Sequence, residues 1–534
     1  MGWILGGIAG IIFLCLLCWR FGGKTAATYG SAAWLSLWDA NKRKLFDRKG
    51  LLVGDWPGTR GLTVSYENTH AASFGYTGAG KGTCAILPNL LSCRHVFLID
   101  PGGENTAIAA KSWQQAGVPF SVINLAGMFT QEPWQLPVHG FNVFDLLETG
   151  KPRFAQDAKL FAEMLTPRTG GEQGNSSFFK NASQADKHAF IIHVKTAESP
   201  ARQNLSTLYE YVNADANAWE KLLDDMSANP ACAGLVQKAA NRIRRREAQA
   251  PEEFSAVMST TQEDLEFLAD PQVRSMLSRS DVDFSILKNP GGGIISVVQP
   301  LEDVGVQDAI SRLALGAAVL TMQRQPVAKN KVLFLIDEAA ALGKIIRFPD
   351  WLATLRKYGC VFWSIWQNMS QVEALYGKSW ETIISNCGLL QILSVGDQRT
   401  AEYTERMLGR CTVQSVTVNA RGERSVSQTA RPIVMADELR RMPANRQIAF
   451  IGNLQPALLA KTPYWKCGEF AGHFNPNPYH DGETPGPNVS DTFGALKAGI
   501  IRVLMFWLTP HPVAACIITG ALFLFLLPLL LGGR

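Results

Sequence analysis

The loop at residues 75–83 restricts the possible folds of this chain more than any other segment. It has the spacing Gly-x-x-x-x-Gly-Lys, which is that of a P-loop. In such a loop the glycines let backbone N–H groups turn toward phosphate oxygens, and the lysine reaches the β- and γ-phosphates. A helix that begins at the loop presents its positive N-terminal end to the same anion. The phosphate-binding candidates are all residues of the loop, Gly75, Tyr76, Thr77, Gly78, Ala79, Gly80, Lys81, Gly82 and Thr83.

One position of the loop departs from the usual pattern. The residue directly after the lysine is normally a serine or threonine whose hydroxyl meets Mg²⁺. Here that residue is Gly82, and a hydroxyl follows one position later at Thr83. Thr83 is therefore a candidate metal-binding residue. For the loop alone, a glycine-rich turn with a chance lysine stays open as the alternative.

A second pattern supplies the other half of a nucleotide site. The segment Lys331-Val-Leu-Phe-Leu-Ile336 has five consecutive apolar residues and runs directly into Asp337 and Glu338. A strand of this kind is buried on both faces, and its end would place Asp337 near Mg²⁺ and Glu338 near an attacking water molecule. The next apolar segment, 360–366, ends in Gln367, an amide that can contact the γ-phosphate or water. The alternative is a sheet strand that ends in acidic residues by chance. Because the chain also has a P-loop, this alternative is the weaker interpretation.

The distribution of apolar runs predicts an α/β fold with an inserted helical domain. Short apolar runs between helical segments indicate a parallel sheet, whereas helical apolar spacing replaces strand-like runs after about residue 151. Residues 470–492 are rich in Pro, Gly and Asn, as linkers are. The predicted domains are the two parts of the nucleotide-binding domain at 25–150 and 286–470, an all-α insertion at 151–285 and a linker at 471–492.

Both ends of the chain are apolar. Residues 3–19 carry no charge and are followed by Arg20 and Lys24, which predicts a transmembrane anchor at 1–24 with its C-terminal side in the cytoplasm. A cleaved signal peptide is the weaker alternative, because the positive charges follow the apolar run. Residues 513–533 are also uncharged and long enough to span a bilayer, so we predict a C-terminal membrane segment at 493–534. A buried helix is the alternative there.

Net charge and cysteine content exclude few classes of partner or site. The formal net charge is +5, which argues neither for nor against a nucleic-acid partner. The ten cysteines are scattered, which favours reduced thiols over a disulfide framework or a zinc site.

One basic run lies at residues 238–246, and two interpretations of it stay open. It is either a solvated helix face or a patch that binds DNA or an acidic partner.

With these residues placed, the chain resembles the coupling proteins of type IV secretion and conjugation, which are TraG-type and related to FtsK/HerA motors. The resemblance covers roughly residues 50–467, and Gly after the P-loop lysine is the usual form in this family. The segment Pro101-Gly102-Gly103 departs from the family, which often has a lysine there. The collinear motifs include Pro88-Asn-Leu-Leu91, Asp100-x-x-Gly-Glu104, Leu335-Ile-Asp-Glu338, Arg356-x-Tyr-Gly359, Gln367-Asn-Met-Ser-Gln371 and Ser385-Asn-Cys-Gly388.

The resemblance implies a RecA-like ATPase that uses ATP and Mg²⁺ and forms a ring, as a hexamer. It implies anchoring in the inner membrane, a cytoplasmic motor domain, and delivery of a relaxase with single-stranded DNA, or of proteins, to a type IV secretion channel. By matching position Arg356 looks like an arginine finger that reaches the nucleotide of a neighbouring subunit, with a helix-surface charge as the alternative. The resulting candidates are Glu338, Gln367 and Arg356 for catalysis and Asp337 and Thr83 for the metal.

Two other functions stay open at this stage. One is a FtsK/HerA-like DNA translocase that is unrelated to secretion. The other is a receptor that binds nucleotide and secretion substrates but does not hydrolyse ATP. Hydrolysis that depends on Glu338 separates the receptor from the two motors.

Overall fold

The computed structural model describes residues 28–59, 61–67, 70–171, 174–303, 308–326, 330–418, 422 and 424–480. The predicted membrane segments at 1–24 and 493–534 lie outside the described residues. Within the ranges just given, no helix combines the length and the apolarity that a bilayer crossing needs.

The chain alternates between strands and helices except in one long helical stretch. The strands are β1 Leu51–Asp55, β2 Thr63–Tyr66, β3 His70–Phe74, β4 His95–Pro101, β5 Phe120–Asn124, β6 Gly293–Gln299, β7 Val332–Ile336, β8 Cys360–Trp366, β9 Cys387–Ile392, β10 Arg410–Val418, β11 Arg424–Pro432, β12 Arg446–Ile451 and β13 Ala457–Ala460. The α-helices are α1 Leu37–Lys42, α2 Leu87–Ser92, α3 Glu104–Gln115, α4 Phe154–Met164, α5 Asn175–Ala197, α6 Leu205–Val212, α7 Ala216–Ala228, α8 Ala231–Gln249, α9 Pro251–Asp264, α10 Pro271–Met276, α11 Asp308–Arg324, α12 Phe348–Thr354, α13 Met369–Tyr376, α14 Trp380–Ser385, α15 Gln398–Leu408 and α16 Ala436–Arg440.

The chain divides into two compact units, and one of them carries the P-loop. Of the described residues this unit comprises those of 70–391 and 470–480, and its strands lie in the order β9-β3-β8-β7-β4-β6-β5. All neighbouring pairs from β3 to β5 in that order are parallel, which confirms the predicted α/β architecture with a parallel sheet. The central strands β7 and β8 are buried along their whole length, as expected for strands covered on both faces.

The other unit is built on antiparallel pairs. Of the described residues it comprises 28–67 and 392–469. Its strands β2, β1, β13 and β12 pair in that order, each antiparallel to its neighbour. Strands β10 and β11 form a separate hairpin, paired from Arg410 opposite Pro432 to Val418 opposite Arg424.

Helices α4 to α10 form the helical stretch of the first unit, and no described strand interrupts them. Their packing places one charged cluster in the interior. The Lys187 ammonium group is fully buried, lies 2.5 Å from the Asp264 carboxylate and also donates to the Leu165 carbonyl at 3.1 Å. Lys180 approaches the second oxygen of Asp264 at 2.5 Å. Burial lowers the pKa of Lys187 to about 8, although the Asp264 charge opposes this effect.

The basic run on α8 is largely used in ion pairs. Arg242 and Arg246 both bind Asp186, at 2.8 and 2.7 Å. Arg244 binds Asp224 at 2.5 Å. These contacts join α8 to α5 and α7, so they favour a structural use of these three charges over a free patch for DNA.

Residues 470–480 run back along the first turns of α3. The Tyr479 hydroxyl donates to the Gly102 carbonyl at 2.7 Å, and the Asn477 amide donates to Glu104 at 2.7 Å. Asn475 donates to the Ala107 carbonyl at 2.9 Å. The described part of the predicted linker is thus fixed to the helix that follows β4.

The Asp264 cluster generates a stability prediction. Asp264→Ala leaves the buried Lys187 ammonium group without its counter-charge, so we expect a loss of about 3–5 kcal/mol in the free energy of unfolding. The control is Asp224→Ala, because Asp224 also pairs with a basic residue but its side chain is 72 % exposed. A cost of roughly 0–1 kcal/mol is expected for the control. Chemical denaturation measures both, and equal losses would contradict the assigned role.

Candidate nucleotide-binding site

The P-loop connects β3 to a tight helical turn. Gly75, the first residue after β3, donates its N–H to the Trp366 carbonyl at 3.1 Å. Gly78 and Gly80 have φ angles of +81° and +85°, a left-handed conformation that strains residues with a side chain. A π-helical turn, Lys81–Ile86, follows and leads into α2. The loop therefore has the backbone shape that its glycine spacing predicts, with Tyr76 and Thr77 exposed.

Three predicted site residues meet at this loop. The Lys81 Nζ atom lies 3.6 Å from the Glu338 Oε2 atom. The Gln367 Nε2 group donates to the same Glu338 oxygen at 3.2 Å. The side chains of Lys81 and Glu338 are 14 % and 27 % exposed, so both are partly shielded from bulk water yet accessible to a ligand. They converge because β7 and β8 are parallel neighbours, and the ends of both strands lie at one edge of the sheet.

Asp337 forms a second contact group, deeper in the site. Its backbone N–H donates to the Ile99 carbonyl at 3.1 Å, and its Oδ2 atom accepts a hydrogen bond from Asn105 Nδ2 at 3.1 Å. Burial raises the pKa of the Asp337 carboxyl to about 7; the charge of Asp100 adds to this shift and that of Lys81 opposes it. A bound cation would favour the ionised carboxylate.

Asp100 and Asn105 belong to this group but were not predicted as site residues. Asp100 ends the buried part of β4, and its side chain accepts from the Thr106 N–H and hydroxyl, each at 2.7 Å. Asn105 Nδ2 donates to Asp100 at 2.8 Å as well as to Asp337. Burial raises the pKa of Asp100 to about 6. The available signal was the acidic end of an apolar strand next to β7, the same pattern that identified Asp337.

Thr83 is not brought to Asp337. Its Oγ1 atom lies 3.5 Å from the Cys84 Sγ atom, within the π-helical turn. In the described part of the chain, no hydrogen bond joins Thr83 to Asp337. The metal role of Thr83 thus stays a prediction without a supporting contact.

Arg356 lies at the amino end of the strands, the end opposite to the P-loop. It is exposed in the 3₁₀ turn Leu355–Tyr358, which precedes β8. The seven residues of β8 separate this turn from Gln367 by about 23 Å, at roughly 3.3 Å per residue. The pKa of His70, the first residue of β3, is lowered to about 4 mainly by burial, and the Arg356 charge lowers it further. Arg356 therefore lies near the start of β3 rather than near the P-loop of its own chain.

Comparison with known proteins identifies the family. Residues 30–484 match the family model described as "Type IV secretory system Conjugative DNA transfer". The chain belongs to this family, the type IV coupling proteins. The resemblance read from the collinear motifs is thereby confirmed.

The relatives of this coupling protein are distant in sequence, but the similarity extends over most of the chain. It is 22 % identical to VirD4 from Agrobacterium fabrum over 461 residues, which cover 82 % of the chain and 66 % of VirD4. It is 25 % identical to the conjugal transfer protein TraG from Escherichia coli, covering 83 % of the chain and 74 % of TraG. The chain thus spans slightly less than two thirds of that VirD4.

Among solved structures, the coupling protein is similar to the bacterial conjugative coupling protein TrwB. The unbound form of TrwB matches with a TM-score of 0.60 at 18 % identity, covering 79 % of this chain and 90 % of the TrwB chain. A second structure of TrwB, in complex with ADP and Mg²⁺, matches with a TM-score of 0.59 at 17 % identity, covering 81 % and 94 %. This similarity shows that the coupling protein shares the TrwB fold.

The site geometry generates a binding prediction. Lys81→Ala removes the ammonium group of the P-loop. A charge-assisted hydrogen bond contributes about 1.5–3 kcal/mol, so ATP affinity should fall roughly 10–100-fold. A fluorescent ATP analogue measures the affinity. Lys159→Ala, which removes an exposed lysine from α4, is the control and should bind as the wild type does. Unchanged affinity in Lys81→Ala would contradict the phosphate-binding role of the loop.

Proposed function

We propose that this coupling protein is an ATPase motor that moves DNA, as a complex with a relaxase, or protein substrates into a type IV secretion channel. The observation that carries the proposal is the convergence of Lys81, Glu338 and Gln367 at one edge of the sheet. Family membership and the names of the relatives, conjugal transfer protein and type IV secretion system-coupling protein, support the choice of substrates and channel.

The residues present suit a magnesium nucleotide. TrwB has been solved with ADP and Mg²⁺ and with a non-hydrolysable ATP analogue. In this chain the Asp337 carboxylate and the buried Asn105 amide supply oxygen atoms beside the loop, and oxygen is the donor that Mg²⁺ prefers. Asp337 would hold the ion, while the loop amides and Lys81 would hold the phosphates. When bound, Mg²⁺ neutralises charge on the phosphate oxygens.

Glu338 is positioned to act on water. Its carboxylate lies between the Lys81 ammonium group and the Gln367 amide, which both contact the same oxygen. The other oxygen would accept the proton of a water molecule that attacks the γ-phosphorus, which makes Glu338 the proposed general base. Gln367 would orient Glu338 through this hydrogen bond. Gln367 would also respond when the phosphate leaves, because its backbone N–H donates to the Gln371 side chain at the start of α13.

The position of Arg356 supports an intersubunit site. Since Arg356 lies at the edge of the sheet opposite its own P-loop, it can reach a nucleotide only on a neighbouring chain. A head-to-tail ring supplies such a neighbour at every interface. We therefore propose a homo-oligomer, with six subunits as in the resemblance, in which Arg356 stabilises the transferred phosphoryl group of the adjacent subunit.

The proposed location is the inner membrane, with the motor in the cytoplasm. The apolar segments at 1–24 and 493–534 would provide the attachments, and the basic residues that follow the first segment favour the cytoplasmic side. The helical stretch α4 to α10 would form the all-α insertion that faces the cytoplasm and meets the substrate.

The first test concerns hydrolysis. Glu338→Gln keeps the shape of the side chain but removes the base, so nucleotide binding should persist while DNA-stimulated ATP hydrolysis falls roughly 10²–10⁴-fold. Glu381→Gln, an exposed position on α14, is the matched control. If the wild type shows no ATPase activity and Glu338→Gln still supports substrate transfer, the chain is a receptor and not a motor. ATPase activity and DNA movement without any effect on transfer would indicate a translocase unrelated to secretion.

The second test concerns Arg356. Arg356→Ala should retain nucleotide affinity and lose hydrolysis by about 10³-fold or more, because removing an arginine finger affects the transition state. Lys357→Ala, the exposed neighbour, is the control. Mixing Arg356→Ala chains with Lys81→Ala chains should restore activity at about one interface in four, since both residues are intact only where the right chains meet. Failure of the mixture to regain activity, or loss of binding in Arg356→Ala alone, contradicts the intersubunit role.

A further inference from the structure

The glycine after the P-loop lysine faces the side chain of Asn105. A Cβ atom built at Gly82 would lie 3.3 Å from the Asn105 Oδ1 atom, a tight contact. Asn105 is 4 % exposed and lies in the first turn of α3, the helix that follows β4 after a short turn. The space that a serine or threonine side chain would occupy at position 82 is therefore bordered by the amide oxygen of Asn105.

The orientation of this amide follows from its partners. Asn105 Nδ2 donates to the Asp100 Oδ1 atom at 2.8 Å and to the Asp337 Oδ2 atom at 3.1 Å. When both carboxyls are ionised, as a bound cation favours, they only accept hydrogen bonds, so the nitrogen faces them and the oxygen faces Gly82. The arrangement is firmly held, because Asp100 is itself fixed by two hydrogen bonds from Thr106.

The Asn105 oxygen is left without a partner. Among the described residues, no group donates a hydrogen bond to Asn105 Oδ1, although the atom is buried. A buried acceptor without a partner costs about 1–3 kcal/mol, so this oxygen calls for a donor, which a water molecule or an ion can supply. This one lies beside the P-loop, next to the carboxylate proposed to hold Mg²⁺.

We infer that Asn105 takes the place of the missing P-loop hydroxyl and presents its amide oxygen to the magnesium ion, directly or through a water of its shell. The inference rests on the proposed function, since it requires a magnesium nucleotide at this loop. Asn105 then has two tasks, because its nitrogen positions Asp337 while its oxygen binds the ion. The hydroxyl that follows Gly82 in the loop, that of Thr83, lies 3.5 Å from the Cys84 Sγ atom.

The test measures metal-dependent binding and needs no hydrolysis. The affinity of a fluorescent ADP analogue is determined in Mg²⁺ and in EDTA, and the ratio of the two affinities is the magnesium gain. We expect Asn105→Ala to lower this gain about tenfold, as loss of a group that supports a metal does, and to leave the affinity in EDTA unchanged. Electron paramagnetic resonance of Mn²⁺ with ADP gives the metal affinity independently, and circular dichroism checks folding.

Substitutions at Gly82 separate the oxygen from the nitrogen of Asn105. Gly82→Ser combined with Asn105→Ala should recover most of the magnesium gain, because the new hydroxyl replaces the oxygen. If the gain is not recovered, Asn105 acts only by positioning Asp337, and the inference is overturned. Gly82→Ala alone should reduce the gain by crowding the oxygen, which keeps the test valid if Asn105→Ala fails to fold.

Asn217→Ala, which removes an exposed asparagine side chain from α7, is the control and should keep the wild-type magnesium gain. Thr83→Val tests the competing hydroxyl of the loop, and the loss of magnesium gain should be smaller than in Asn105→Ala. A large loss in Thr83→Val, or a full gain in Asn105→Ala, would assign the oxygen to Thr83 or to solvent and reject Asn105. A wild-type chain without any magnesium gain would overturn the proposed function, and this inference with it.

Discussion

The parallel arrangement of β4, β7, β8 and β3 is the constraint on which the whole site depends. These four strands are consecutive in the sheet order, so their carboxyl ends meet at one edge. Ligands of open α/β sheets bind at that edge, because the loops that leave the strands converge there. Asp100, Asp337, Glu338, Gln367 and the P-loop are distant in sequence, and only this topology makes them neighbours.

Much of this edge could be predicted because the strands that form it are apolar. Strands β7 and β8 are buried on both faces and appear in the sequence as uninterrupted apolar runs. The polar residue after each run is then expected at the strand end, and this is where Asp337, Glu338 and Gln367 lie. The helical stretch was equally visible, because strand-like runs are missing from the segment.

The strand that carries the P-loop could not be recognised in the same way. β3 contains His70, two alanines and Ser73, yet all its residues are buried. The Ser73 hydroxyl is satisfied by distant partners, since it donates to Gln391 and accepts from Trp363, each at 2.8 Å. The role of Asn105 was hidden for a related reason. A lone asparagine at a helix start has no distinctive pattern until the pairing of β4 with β7 places it between two carboxylates.

The contacts of residues 470–480 have a mechanical consequence. Tyr479 and Asn477 bind Gly102 and Glu104, which form the turn from which Asn105 projects. A displacement of residues 477–479 would therefore disturb the turn that carries Asn105 through these hydrogen bonds. The described carboxyl-terminal segment and the turn beside Asp337 are thus coupled by direct contact.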